Sequence, residues 1–152
     1  MSAEDRLKEL GIELPTPDPA TGLYSHCVQT GNLLFVSGQI PVVEGQVSRT
    51  GHCGETITLE EGADLARVCA INALTQVRAY LGSLDKVARV VRLAGYVASA
   101  PGFVEHPRVM NGASQLILDV FGEAGEHTRA AIGVAELPMG GPVEVEFLFE
   151  VS

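Results

Sequence analysis

Basic residues are scarce in this chain. Its 152 residues include 10 Lys and Arg against 19 Asp and Glu, which gives a formal net charge of −9. General affinity for nucleic acids depends on Lys and Arg that neutralise phosphates, and this chain has no basic run. The charge therefore disfavours a nucleic-acid binder and leaves room only for a local basic pocket.

Long apolar runs are absent as well. No stretch approaches the roughly 20 apolar residues that cross a bilayer as a helix, so no membrane association is predicted. The N-terminal sequence MSAEDRLKEL is acidic and amphipathic, and it lacks the basic and then apolar build of a signal peptide. We therefore expect a cytoplasmic protein.

Cysteine is too rare for a disulfide framework. The chain has three, Cys27, Cys53 and Cys69, without a CxxC motif, and this fits a reducing compartment. Two of them follow a histidine, in His26-Cys27 and His52-Cys53, so that a zinc site is the alternative interpretation. Neighbours on a strand point to opposite faces, however, and each pair offers one inward ligand at most. We expect no metal.

The composition that remains is globular. Apolar residues make up 46% and charged residues 19% of the chain, and the length suits one domain with a real core. The 17 glycines and 8 prolines indicate many turns. We expect a single domain over residues 1–152, with a short N-terminal helix extension over residues 1–11.

Two long helices and one short helix are predicted. The capping box Thr58–Glu61 begins the first long helix, apolar residues recur in it at helical spacing, and Gly82 ends it. The second runs from Phe103 to Val120, with Pro107 near its first turn. Ser2 caps the short helix, which runs through Leu10.

Five main strands are predicted, with Gly31-Asn32 as a two-residue hairpin turn between the first two. These strands are Ser25–Thr30, Leu33–Ser37, Val87–Ala98, Ala130–Val134 and Val143–Val151, with a short additional strand at Gln46–Ser48. The last strand alternates apolar and mostly acidic residues, so one of its faces packs on helices and the other is polar. Two helices can cover one face of such a sheet, which predicts an α+β fold.

Arg129 is the residue that folding explains least. It stands at the start of an apolar strand, where a buried charge needs a partner. Its planar guanidinium suits a carboxylate, either of a ligand or of the protein, such as Glu144 or Glu146. If the last two strands form a tight hairpin centred on Met139-Gly140, Arg129 lies opposite Glu150. It then meets Glu144 only if the strands are not hairpin partners or if the site spans subunits.

A set of short motifs stands around Arg129 in a recognisable order. They are Tyr24, then Gly31-Asn32 followed by SGQIP at Ser37–Pro41, then Asn111, then Arg129 with AIGVAELP, and last VEVE at Val143–Glu146. In order and spacing they resemble the RidA/YjgF/YER057c/UK114 family, also called the endoribonuclease L-PSP-like family. The resemblance covers nearly all of the chain beyond the first helix.

The resemblance implies a fold, an assembly and an activity. The fold is similar to bacterial chorismate mutase, with a mixed β-sheet and two main helices packed on one face. The assembly is a homotrimer with clefts between subunits. The activity is the hydrolysis of 2-aminoacrylate and related enamines or imines to 2-keto acids and ammonia, as by a 2-iminobutanoate/2-iminopropanoate deaminase, a hydrolase acting on C–N bonds. Neither a metal nor an organic cofactor takes part.

The resemblance also assigns roles to individual residues. Arg129 holds the substrate carboxylate, and Glu144 orients water. Tyr24, Ser37 and Asn111 match other cleft positions. From the residues alone, Tyr24 is equally a packed lid, Ser37 the end of a strand and Asn111-Gly112 a point of close helix packing.

The chain departs from the family pattern close to Arg129. Many members have a cysteine two residues after the arginine, where this chain has Ala131, and His127-Thr128 precedes the arginine in place of Pro-Ala. His127 is either a proton carrier in the cleft or a loop cap. A divergent branch of the family is therefore expected.

Three functions follow from these observations. The first is the enamine/imine deaminase, and the second is a trimeric module that binds small carboxylates or keto acids without turnover. The third is an endoribonuclease or translation inhibitor, which the net charge of −9 disfavours.

Overall fold

The structure is a computed structural model that describes residues 1–152. Three α-helices and seven strands follow one another along the chain, with three short 3-10 turns between them. The elements are α1 (Ala3–Glu9), β1 (Cys27–Thr30), β2 (Leu33–Gln39), β3 (Val42–Val43), β4 (Gln46–Val47), α2 (Leu59–Leu81), β5 (Val87–Ala98), α3 (His106–Phe121), β6 (Thr128–Val134) and β7 (Val143–Val151).

Five of the strands form one mixed sheet in the order β1-β2-β7-β5-β6, while β3 and β4 form a separate small hairpin. The β5–β6 pair is parallel and its neighbours in the sheet are antiparallel. Helices α2 and α3 pack on one face, and every second residue of β7, from Val143 to Val151, is apolar and buried beneath them. The predicted α+β class, with two main helices on one face of a mixed sheet, is confirmed.

The ends of α2 follow from local chemistry. The Thr58 side chain accepts a hydrogen bond from the backbone of Glu61, and the Glu61 side chain accepts one from the backbone of Thr58. This predicted capping box satisfies N–H groups that have no partner inside the helix. Gly82 ends α2 in the left-handed region, at φ 88°, where glycine carries no steric penalty.

Four predicted boundaries were wrong by two residues or more, and two of them are the starts of β1, at Cys27 rather than Ser25, and of β6, at Thr128 rather than Ala130. Helix α3 begins at His106 rather than Phe103, because Pro107 has no N–H to donate and is best placed in the first turn. Strand β2 continues to Gln39 rather than ending at Ser37, and its register with β7 shifts between Val36 and Gln39. The shift is a bulge, which lets the strand pass Gly38 and continue.

The last two strands are not hairpin partners. Strand β6 runs parallel to β5 at the edge of the sheet, and β7 lies on the other side of β5, between β5 and β2. Arg129 is therefore opposite Leu93, and Glu150 is opposite Arg89 and Leu33. The hairpin pairing of Arg129 with Glu150 is wrong, because β5 occupies the place that the hairpin required.

The face of the sheet opposite the helices is uncovered. Val28, Phe35 and Leu148 are neighbours across β1, β2 and β7 on this face, and the first two have 57% and 47% of their surface exposed. Ile132 on β6 is 50% exposed on the same face. The three glutamates of β7 lie on this face as the alternation predicts, but the face is partly apolar and not simply polar.

Candidate functional site

Arg129 lies on the helix side of the edge strand β6. Its partner across the parallel ladder is Leu93, a fully buried residue of the helix-covered face. From there the guanidinium reaches α3, where Nη1 donates to Oδ1 of Asn111 at 2.9 Å and to Oγ of Ser114 at 3.1 Å. Nη2 donates to the carbonyl oxygen of Pro107 at 3.2 Å. All three acceptors are neutral.

Arg129 has no carboxylate partner in its own chain. The four ion pairs of the structure involve Arg49, His52, Arg78 and Arg108, not Arg129. Burial lowers the pKa of the Arg129 guanidinium, although an arginine stays protonated in proteins. The site is thus a partly buried cation that neutral groups hold in place, without an acid of its own chain beside it.

His127 reaches Arg129 only through Ser114. Its Nδ1 lies 2.6 Å from the carbonyl oxygen of Gly125, which can only accept, so Nδ1 carries a proton. In the neutral ring Nε2 then accepts from the Ser114 hydroxyl at 2.9 Å, and the lone pairs of that hydroxyl are free for Arg129. His127 therefore caps the preceding turn through Gly125, as one of its two predicted roles requires, and also holds the Ser114 hydroxyl that contacts Arg129.

Ser114 was missed in the sequence. It is buried, with 8% of its surface exposed, and it joins Arg129 to His127. The available signal was its spacing, because Ser114 is three residues after Asn111 and two such residues share a helix face. Gly112, next to Asn111, lies at the crossing of α2 and α3, where an added Cβ would overlap the backbone of Ala63. The Asn-Gly pair thus serves both close packing and the contact with Arg129.

Glu144 belongs to a second group of residues, on the opposite face of the sheet. It is paired with Tyr96, whereas its neighbours Val143 and Val145 are fully buried under the helices. Its carboxylate lies over the bulge of β2, where a Cβ on Gly38 would be 2.8 Å from Oε1. A side chain at position 38 would therefore displace this carboxylate from its place.

Ser37 precedes Gly38 in β2, and Tyr24 and Gly38 line the same pocket. The Ser37 hydroxyl donates to the carbonyl oxygen of Ser25 at 2.7 Å, and its backbone N–H donates to the carbonyl of His26. The half-exposed Tyr24 ring meets the His26 ring edge to face, with 6.0 Å between centroids. The candidate residues therefore form two groups in one chain, one around Arg129 and Asn111, the other around Tyr24, Ser37 and Glu144.

The ionisation of Glu144 is perturbed by its surroundings. Burial, and then repulsion from the neighbouring Glu146, raise the pKa of the Glu144 carboxyl. The Tyr96 hydroxyl donates to Oε1 of Glu146 at 2.8 Å, and this hydrogen bond raises the pKa of Tyr96. A carboxyl that holds its proton more tightly than usual suits a group that takes a proton from water.

Replacing Glu144 with glutamine should raise the melting temperature at pH 7, with a gain that shrinks towards pH 4. A raised pKa in the folded state means that the stabilisation is complete below the unfolded-state pKa and is lost as pH rises through the folded one. Glutamine does not ionise, so the variant keeps this stabilisation over the whole pH range. Thermal unfolding of wild type, Glu144→Gln and the exposed-loop control Glu126→Gln between pH 4 and 8 measures the effect. A gain that does not depend on pH, or that Glu126→Gln reproduces, contradicts it.

The two members of the pair His52-Cys53 lie in different environments. Cys53 is fully buried, while Nε2 of His52 lies 2.9 Å from the carbonyl oxygen of Ala135 and 3.2 Å from Glu136. Burial raises the pKa of Cys27 and of Cys53 to about 11, so both remain thiols at neutral pH.

None of the three helices combines the length and the apolar character that a membrane-spanning helix needs.

The fold and the arrangement of these residues define a chorismate-mutase-like α+β protein. The chain belongs to the YjgF family, because the model described as "YjgF/chorismate_mutase-like, putative endoribonuclease" matches residues 4–150. The family expected from the motifs is thereby confirmed. Protein TCP17 of Trypanosoma cruzi is 48% identical over 148 residues, which is 96% of this chain and 92% of that protein.

The solved structures divide into two groups by similarity. Atu1372 of Agrobacterium tumefaciens, of unknown function, has a TM-score of 0.92 at 45% identity, over 99% of this chain and 92% of that one. A Shewanella oneidensis protein described as a "putative endoribonuclease" has a TM-score of 0.95 at 32% identity, over 99% of this chain and 100% of that one. RidA of Psychrobacter reaches 0.62 at 26% identity, over 90% and 94%. Escherichia coli TdcF with bound serine reaches 0.64 at 22%, over 90% and 94%.

Proposed function

We propose that the protein is a RidA-like hydrolytic deaminase of enamines and imines, of the 2-aminoacrylate type, and that it works as a homotrimer. The observation that carries this proposal is the Arg129 cation, which has three neutral partners and no acid. A small carboxylate is the ligand whose geometry fits the free edge of a guanidinium. The serine bound by TdcF is a ligand of that kind in a protein of the same fold.

The division of the candidate residues supports a cleft between subunits. Arg129 and Asn111 lie on the helix side of the edge strand β6, whereas Glu144 lies on the uncovered face and Ser37 on the β2 bulge beside it. One chain cannot bring the two groups to one small substrate. A second copy that packs against the uncovered face can supply the missing group.

The proposed chemistry needs few groups. Arg129 and Asn111 hold the carboxylate, so the imine carbon has a fixed position. An enamine first becomes the imine, as its nitrogen loses a proton and its terminal carbon gains one. A water held by Glu144 then adds its oxygen to the imine carbon and gives a proton to the carboxylate, which passes that proton to the imine nitrogen. The carbinolamine then loses ammonia, and a 2-keto acid remains. Burial and Glu146 raise the pKa of Glu144, which improves it as the proton acceptor.

The direct test is the release of 2-keto acid from freshly generated 2-aminoacrylate. We expect the wild-type protein to accelerate this release over the uncatalysed rate. If it gives no acceleration with either the three-carbon or the four-carbon imine, the deaminase proposal is wrong.

A charge placed on the uncovered face should break the trimer. Phe35 is 47% exposed there and packs beside Val28 and Leu148, so Phe35→Glu would place a carboxylate in a buried apolar contact. We expect wild type to have the mass of three chains and Phe35→Glu that of one, by light scattering after gel filtration. Tyr80→Glu, on the equally exposed outer side of α2, is the matched control and should stay trimeric. A monomeric wild type contradicts the assembly.

A second candidate function is a binding module for small carboxylates without turnover. Ala131 favours it, because it lies on the same side of β6 as Arg129 and offers no reactive group next to it. Calorimetry with pyruvate, 2-oxobutyrate and benzoate separates the two functions. Binding without acceleration selects the module, and absence of binding to all three excludes it.

A further inference from the structure

A large groove lies away from Arg129. The proline-rich segment of residues 15–21 forms one wall, α2 forms the second, and the loop from Gly38 to Gly45 forms the third. Its volume is about 930 Å³, near the upper end of the range of roughly 300–1,000 Å³ that is typical of pockets for drug-sized molecules. A three-carbon acid would leave most of it empty.

The polar side chains that α2 presents to this groove already have hydrogen-bond partners within the chain. Asn72 donates through Nδ2 to the carbonyl oxygens of Ile40 at 3.1 Å and Val42 at 3.0 Å. Gln76 donates to the carbonyl oxygen of Asp18 at 2.9 Å and so holds the proline-rich segment in place. These bonds brace the walls, and the α2 surface between them is apolar, at Val68 and Ile71. The groove is therefore a supported cavity and not a gap under a loose segment.

One buried donor in the groove has no acceptor. The Gln39 amide nitrogen donates to the carbonyl oxygen of Ser37 at 3.0 Å, which fixes the orientation of the amide. The same nitrogen lies 3.3 Å from Nδ1 of His26, so Nδ1 accepts and the proton of the neutral ring is on Nε2. That Nε2 is buried and has no hydrogen-bond partner. Buried polar groups without partners are rare and costly.

The Tyr24 ring packs against the ring that carries this donor. The Tyr24 ring lies edge to face with the His26 ring, at 6.0 Å between centroids, and 50% of the Tyr24 surface is exposed. An exposed side chain changes rotamer quickly and without a backbone shift. Rotation of Tyr24 would therefore open His26 Nε2 to a molecule in the groove.

The charge of the groove decides the class of ligand. Asp18 and Glu44 line it, and no lysine or arginine does. These two carboxylates repel an anion and so disfavour its binding, whereas they do not repel a neutral hydrogen-bond acceptor. We propose that this groove is a second ligand site, which binds a neutral molecule with an apolar chain or ring and one carbonyl oxygen that accepts a hydrogen bond from His26 Nε2. The groove contains no residue of the group around Arg129, but Tyr24 and Gly38 on its rim adjoin the group that includes Glu144.

Three ligands of similar shape test the acceptor. They are 4-phenylbutan-2-one with a neutral carbonyl, 3-phenylpropanoate with a carboxylate, and butylbenzene with no acceptor. We expect saturable amide shifts in the NMR spectrum at Val68, Ile71 and His26 with the ketone, and at least about tenfold weaker binding of the other two. Equal affinities for ketone and butylbenzene, or absence of saturable binding to the ketone, overturn the proposal.

Variants of the chain test the donor. His26→Leu should weaken ketone binding about tenfold, while His26→Gln keeps both an acceptor for Gln39 and a donor for the ligand and should retain it. Val68→Phe should fill the groove and abolish binding. Arg129→Ala should leave ketone binding unchanged, which separates this site from the proposed cleft. If His26→Leu does not fold, the nitrogen-15 chemical shifts of the His26 ring in the wild-type protein show which ring nitrogen carries the proton. A ring protonated on Nδ1 alone contradicts the proposal.

Discussion

Arg129→Ala should abolish the acceleration of 2-keto acid release and weaken the binding of small carboxylates about 100-fold or more. A hydrogen bond to a charged group contributes about 1.5–3 kcal/mol, and a bidentate contact contains two of them. Each 1.4 kcal/mol is a factor of about ten in affinity. Because the guanidinium pairs with no acid of its own chain, its loss leaves no carboxylate of the protein unpaired. The measurement is the rate with 2-aminoacrylate together with calorimetry using 2-oxobutyrate.

The control for this prediction is Arg129→Lys. Lysine keeps the charge but not the planar fork, and it cannot reach Asn111, Ser114 and Pro107 at once. We expect it to recover part of the carboxylate affinity and little of the rate. Full activity of Arg129→Ala would refute the role of Arg129 in either proposed function. Equal loss in both variants, with unchanged folding, would mean that orientation matters more than charge.

Gly112→Ala should destabilise the fold by about 3 kcal/mol or more, at the top of the range for overpacked cores. The added methyl group would overlap the backbone carbonyl of Ala63, where α2 and α3 cross. A backbone atom within a 23-residue helix cannot turn away as a side chain can, so the helices must separate. Denaturant unfolding at a fixed protein concentration measures the loss.

Gly62→Ala is the matched control for Gly112→Ala. Gly62 is also a buried helical glycine, but its added Cβ would meet only side chains, Sγ of Cys53 at 2.9 Å and Cγ1 of Val109 at 3.3 Å. The gain in helix propensity, about 1 kcal/mol, offsets part of that crowding. We expect a change of less than about 1.5 kcal/mol. Similar losses in the two variants would contradict the distinction between backbone and side-chain contact.

The helices and strands were predictable because their signals are local. The capping box at Thr58 and the left-handed Gly82 fix α2 within its own sequence. The alternation of β7 likewise predicts which of its faces is buried. The boundaries at Ser37 and Phe103 were wrong because a bulge and a first-turn proline depend on the neighbouring strand and on the preceding loop.

The partner of β6 was the harder problem. A short connection between β6 and β7 favours a hairpin, yet a strand, a helix and a strand in succession favour a parallel pair, and β5, α3 and β6 form that unit. The composition of the strands indicated the outcome. Val143 to Val151 bury every second side chain as a central strand does, whereas β6 contains Gly133 and leaves Ile132 exposed, as an edge strand can.

The contacts of the site were only partly predictable. The resemblance brought Asn111 and Arg129 to one place, and in the structure they share a hydrogen bond of 2.9 Å. Ser114 was missed although its spacing from Asn111 offered a signal, because that spacing shows a shared helix face and not a contact with Arg129. The separation of Arg129 from Glu144 depends on the order of the strands in the sheet, so it could not be predicted before that order was known.

The three neutral contacts of Arg129 also determine when its flexibility is lost. A free arginine side chain has about 2 kcal/mol of rotamer entropy, which a ligand would otherwise have to overcome on binding. Here Asn111, Ser114 and the carbonyl of Pro107 already restrict the guanidinium in the unliganded chain. That entropy is lost during folding, before any carboxylate arrives. In the proposed function the arginine is thus a rigid receptor, which a three-carbon acid would bind without having to order it.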